Sequence, residues 1–187
     1  MAVRGRLDWG ENRCEAAMNQ ILPILLLAAV PALADDAELL QKYRGSADPC
    51  WYAAADVQDL GACDGLLSEA CMAGEPGGMS NLGMSQCVYA EAAFWDEKLN
   101  EEWRVVIALM READRESAAY EPAYAVREEK LRAAQRAWIT FRDAQCAFDY
   151  AIPGGGSIRQ LYAPACLSDM TFERLGDLRA IRAEFEF

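Results

Sequence analysis

The chain has 187 residues, 53% apolar and 26% charged, proportions that fit one soluble globular domain and exclude a disordered tail or a multi-pass membrane protein. It contains no histidine, which excludes a Ser-His-Asp or Cys-His nucleophile, a histidine metal site and a histidine pH switch. Thirty Asp and Glu against eighteen Lys and Arg leave a net charge of −12, which repels phosphate backbones and anionic headgroups and draws cationic partners, so nucleic acid is not an expected ligand.

Residues 21–30 (ILPILLLAAV) form a short apolar core, too short to span a bilayer, and Ala32-Leu33-Ala34 follows it. This pattern predicts a secretory signal peptide over residues 1–34, cut after Ala34, with no cysteine at the cut to carry a lipid. An uncleaved anchoring helix is the alternative. Met18 stands just ahead of the apolar core, whereas residues 1–17 mix acids with arginines, so Met18 is a candidate true start. The expected location is the periplasm or the exterior, with no stable membrane anchor.

A short helical lead over residues 35–62 comes next, with Leu39, Leu40 and Tyr43 at helical spacing and Pro49 expected to end the first helix. Trp51 opens a second short helical candidate. From 50 to 87 four cysteines are interleaved with glycines and Pro76, which predicts a loop-rich segment ordered by covalent bridges. Near Ser85 begins a stripe of Ala92, Trp95, Leu99, Trp103, Val106, Met110 and Ala113, alternating steps of three and four on a helix of about 30 residues. Glu121-Pro122 breaks it. A second stripe follows at Leu131, Ala134, Trp138, Phe141, Gln145 and Phe148. Two long helices joined by a short turn predict an antiparallel hairpin with the stripes facing each other. Thr171 is the expected N-cap of a last helix through Leu175, Leu178 and Ile181. No strand alternation appears, so the fold class is all-α: a long helical hairpin, a C-terminal helix and a disulfide-rich N-terminal extension.

Beyond the predicted cut remain Cys50, Cys63, Cys71, Cys87, Cys146 and Cys166, an even set that reads as a disulfide framework in an exported chain. No C-x-x-C occurs, so a metal site is not expected and no cofactor is implied. Six cysteines allow 15 pairings. Sequential pairing is favoured, with a Cys87–Cys146 bridge across the central helices as its main rival. Charge is uneven: residues 35–121 hold 18 acids and 6 bases, while residues 122–187 hold nine of each.

Cys87, the Trp95-Asp96-x-x-Leu99-Asn100 stretch, Leu131-x-x-Ala134-Gln135-x-x-Trp138-x-x-x-Arg142-Asp143-x-x-Cys146, Gly155-Gly156-Ser157 and Cys166 together closely resemble the LprI-like lysozyme-inhibitor family. The resemblance runs over about residues 71–182 and places a family-type domain at 63–183. It implies an exported, mostly helical, non-catalytic protein, the founding member of the family being an inhibitor of lysozyme. The chain departs from that founding type in having no lipobox cysteine and no second C-terminal domain, which speaks against membrane tethering.

The residues carry their own reading. Gln135, Trp138, Arg142, Gln145 and Cys146 share one broad helical face. Trp138 is expected as a core aromatic, Arg142 as the partner of a carboxylate such as Asp96 or of loop carbonyls, and Gln135 as a partner of the 154–157 backbone. Gly154, Gly155, Gly156 and Ser157 form either a tight turn returning the chain or an exposed loop able to enter an enzyme cleft. Three functions follow: inhibition of a cationic lysozyme in the envelope, an envelope interaction module with another protein partner, and a glycan hydrolase with paired carboxylates. No catalytic residue is marked, and the first is preferred.

Overall fold

A computed structural model describes residues 31–185, with side chains from residue 36. The signal-peptide core and Met18 lie outside the described residues. Six helices follow in order: α1 (Pro31–Ala53), α2 (Val57–Leu60), α3 (Leu66–Gly74), α4 (Asn81–Ser117), α5 (Arg127–Ala151) and α6 (Arg159–Phe185), and there is no strand among the described residues. Helix α4 is the hub. It packs most extensively on α6, and also on α1, α3 and α5.

Three boundaries differ from the sequence expectation. Helix α1 continues through Pro49 rather than ending there. Proline removes one backbone hydrogen bond and crowds the carbonyl four residues back, but burial of Trp51 and the Cys50–Cys63 disulfide hold the last turn in place. Residues 50–87, expected as loops, are largely helical. Helix α4 starts at Asn81 because Ser80 caps it, the Ser80 hydroxyl accepting from the Gly83 amide at 3.1 Å. The glycines before it serve close approach: a Cβ at Gly78 would strike the Met72 carbonyl oxygen, and one at Gly83 the Gly77 carbonyl oxygen. Thr171 is not a cap but a buried mid-helix residue, since α6 begins at Arg159.

The three disulfides pair sequentially: Cys50–Cys63, Cys71–Cys87 and Cys146–Cys166. The first two fix the turns between α1 and α4, and the third joins α5 to α6. The core runs along α4 through Phe94, Trp95, Leu99, Val106 and Met110, closed by Leu40, Trp51, Leu67, Leu175 and Leu178. Two tryptophans each lie between two cations. Trp51 has Lys98 Nζ 5.5 Å and the Arg179 guanidinium 4.0 Å from its ring, and Trp138 has Arg142 at 5.1 Å and Arg174 at 5.9 Å. Lys98 is wholly buried, with Asp48 at 3.4 Å and Glu101 at 3.6 Å supplying opposite charge.

Two helices start without a cap of their own, and α4 supplies both. Neither Gly65 nor Val126 makes a side-chain capping bond. Buried Glu91 accepts from the amides of Gly65 at 2.7 Å and Ser68 at 3.3 Å, satisfying two donors at the start of α3. Asp114 accepts from the amides of Arg127 at 3.0 Å and Glu128 at 2.9 Å and does the same for α5.

Glu128 then takes Arg111 from α4 and Arg132 from its own helix, each through two donors at 2.8–3.1 Å. Those bonds hold its carboxyl at about 2, below the ordinary 4.5. A carboxylate lowered on folding stabilises above its unfolded value and loses that contribution as pH falls toward the folded one. The hairpin turn is therefore expected to loosen between pH 4.5 and about 2. Protection factors of amides at the start of α5, corrected for the intrinsic pH dependence of exchange, should fall further over that window in the wild type than in Glu128→Gln, where the lowered carboxyl of Asp114 still titrates; identical profiles would refute the assignment.

Helix α5 is rotated away from the orientation expected of its stripe. Leu131 and Trp138 pack on the core and Cys146 is buried, but Phe141 and Phe148 stand 59% and 62% exposed. The reason is α6, which engages the flank of α5 carrying Gln135, Arg142 and Cys146.

Candidate functional site

Helix α5 ends at Ala151, and after two residues the chain turns on Gly154, whose φ of 60° is left-handed and suits glycine. The Gly154 amide donates to Ala151 O at 3.1 Å, Gly156 to Pro153 O at 3.3 Å and Arg159 to Gly156 O at 3.2 Å, so consecutive turns reverse the chain into α6. Nothing lies within 4 Å of a Cβ built on Gly154 or Gly155. Gly154, Gly155, Gly156 and Ser157 are all exposed.

The loop is nevertheless anchored. Cys146–Cys166 closes it below, with the two Cα atoms 5.4 Å apart. Asn81 donates to the Ser157 hydroxyl at 2.9 Å, and the Ser85 hydroxyl donates to the Gln160 carbonyl at 2.8 Å, so the leg leading into α6 is tied to the start of α4. From 151 to 158 no residue is ionisable, and Tyr150, Ile152, Ile158 and Tyr162 form a half-exposed apolar collar. The tip offers bare backbone amides and carbonyls to a partner.

Directly below lies an acidic groove of about 330 Å³ that includes Asp149, Tyr162, Cys166 and Asp169 in its walls. The Asp169 carboxyl is raised above its ordinary value by partial burial and then by the negative charges of Asp64 and Glu173; Asp64 is raised by burial as well. Among the described residues no salt bridge neutralises Asp64, Asp169 or Glu173. This cluster went unnoticed in the sequence. The four-residue interval from Asp169 to Glu173 was legible as one helix face, but Asp64 arrives from the turn before α3, which no local pattern reveals.

The other motif residues lie away from the loop, Gln135, Trp138, Arg142 and Asp143 about two to four and a half turns back from the end of α5 and the rest on α4. Arg142 reaches Asp143 Oδ1 at 2.9 Å, Asp96 Oδ1 at 3.7 Å and the Thr171 hydroxyl at 3.5 Å. Asn100 donates to Asp96 Oδ2 at 2.9 Å, and Trp95 and Leu99 are buried beneath. Gln135 does not serve the glycine loop: its Oε1 accepts from Arg174 Nε at 2.9 Å, because α6 lies against that face. Trp95, Asp96, Asn100, Gln135, Trp138, Arg142 and Asp143 thus join α4, α5 and α6 at one seam, apart from the loop residues.

Among the described residues no group of three or more His, Cys, Asp or Glu side chains could hold a metal ion, and no helix is long and apolar enough to cross a membrane. The family model described as "Lysozyme inhibitor LprI" matches residues 71–178. A protein of Rhizobium meliloti (strain 1021), named "Uncharacterized protein R02472", is 32% identical over 108 residues, covering 58% of this chain and 78% of that protein. No solved structure matches the chain. The matched span holds the α3–α4 and α5–α6 disulfides and the glycine loop, while α1 lies outside it and packs on α4.

Proposed function

This chain belongs to the LprI lysozyme-inhibitor family, and from that premise we propose that it is an exported, non-catalytic protein that binds and inhibits a cationic lysozyme in the cell envelope. The observation that carries this reading is the juxtaposition of an uncharged, disulfide-anchored glycine loop with an unneutralised acidic groove. A cationic enzyme is drawn by the groove and by the net charge of −12, which raises the association rate more than the affinity. The bare loop then enters the substrate cleft, where its amides and carbonyls replace those of a glycan. Three disulfides fit an oxidising compartment, and cleavage after Ala34, within the first turn of α1, is part of the same reading.

Titrating mature, oxidised protein against cationic lysozymes at low and moderate salt tests it. Stoichiometric inhibition is expected, with an association rate that falls about tenfold or more as salt rises. Absence of inhibition at any salt would discard lysozyme as the target and leave another envelope protein as the partner. An association rate indifferent to salt would discard the acidic groove.

A further inference from the structure

The outer face of α5 is apolar and uncovered. Ala134, Ala137, Phe141, Ala144, Phe148 and Ala151 are all exposed, and their intervals of three, four, three, four and three make the a/d pattern of a coiled-coil seam. No ionisable side chain lies in this row. The row sits about 150° round α5 from Gln135, Arg142 and Cys146, which engage α6, so both faces are usable at once.

We propose that this seam pairs two copies of the chain, antiparallel, about a two-fold axis between Arg142 and Asp143. The sequence of sizes argues for a second copy over any other occupant. Reversing the row about that axis sets Phe141 against the partner copy's Ala144, Ala137 against its Phe148, and Ala134 against its Ala151. Each large side chain meets a small one, and the match is reciprocal, as an isologous interface requires. Charge points the same way. Helix α5 carries five basic and four acidic residues and residues 122–187 hold equal numbers of each, so two copies meet at this face without the repulsion their acidic parts would impose. One helix seam lies at the small end of protein interfaces, and the dimer is concentration-dependent.

The pairing is read without lysozyme, so its failure is separate from failure of the inhibitor reading. Sedimentation of the mature protein over a concentration series, with a size-exchange test, distinguishes the outcomes. The wild type is expected to dimerise. Phe141→Ala sets a hole against a hole and Ala144→Phe sets a ring against a ring; each is expected to weaken the dimer about tenfold or more. The double variant Phe141→Ala/Ala144→Phe exchanges knob and hole and is expected to restore it. All these positions are exposed, so thermal melts of the variants should match the wild type. A wild type that is monomeric at every concentration overturns the proposal, as does a dimer indifferent to both single variants or a double variant that fails to recover.

Discussion

Trp95→Ala is expected to cost about 3–5 kcal/mol of folding stability, the range for a large aromatic removed from a packed core. Trp95 is fully buried at the point where α4 meets α6, edge-on to Phe94 at 4.8 Å and to Phe172 at 4.9 Å. Its neighbours are held by helices and by the Arg142–Thr171 contact, so the cavity cannot collapse cheaply. A thermal melt should show a fall of about 10 °C or more. Trp95→Phe should cost much less. The Trp95 Nε1 has no hydrogen-bond partner, so phenylalanine keeps most of the packing and removes an unsatisfied donor. Equal losses in the two variants would show that the indole, and not its volume, matters.

Gly155→Trp has the opposite signature. A Cβ there meets nothing within 4 Å and the residue is exposed, so stability should change by no more than about 0.5 kcal/mol. If the loop enters the lysozyme cleft, the half-inhibitory concentration should rise on the order of 100-fold, the scale of a lost hot spot. Gly154 is unsuitable for the experiment, since its φ of 60° would add backbone strain to any loss of binding. Full inhibition by a folded Gly155→Trp protein would remove the loop as the inhibitory element and move attention to the acidic groove.

Much of this architecture was legible in residue order. The stripe from Ala92 to Met110 lies on α4 and its Trp95, Leu99, Val106 and Met110 are core, because a three-four alternation on a long helix has few other uses. Helix rotation was not legible. Phe141 and Phe148 satisfy the same periodicity as Trp138, and only the tertiary bonds of Cys146, Gln135 and Arg142 decide which flank turns inward. Pro49 and the glycines of 61–83 misled for a related reason, since local propensity yields where disulfides and buried rings fix the backbone. Lys98 and Arg179 are buried charges on long helices rich in exposed ones, and nothing in their own neighbourhood announces Trp51, which arrives from α1. At the candidate site, the loop was visible as a glycine run, whereas its acidic companion was assembled from three segments.

The borrowed caps of α3 and α5 also constrain the order in which the molecule can form. With Glu91 and Asp114 both on α4, each shorter helix gains the acceptor for two of its first amides only when that long helix is docked. Helix α4 is in this sense a template, and its neighbours are conditional structures. A chain emerging amino end first would present α1 and the glycine-rich turns first, with the start of α3 lacking its acceptor until residue 91 follows, and the start of α5 lacking its own until Asp114 is in place.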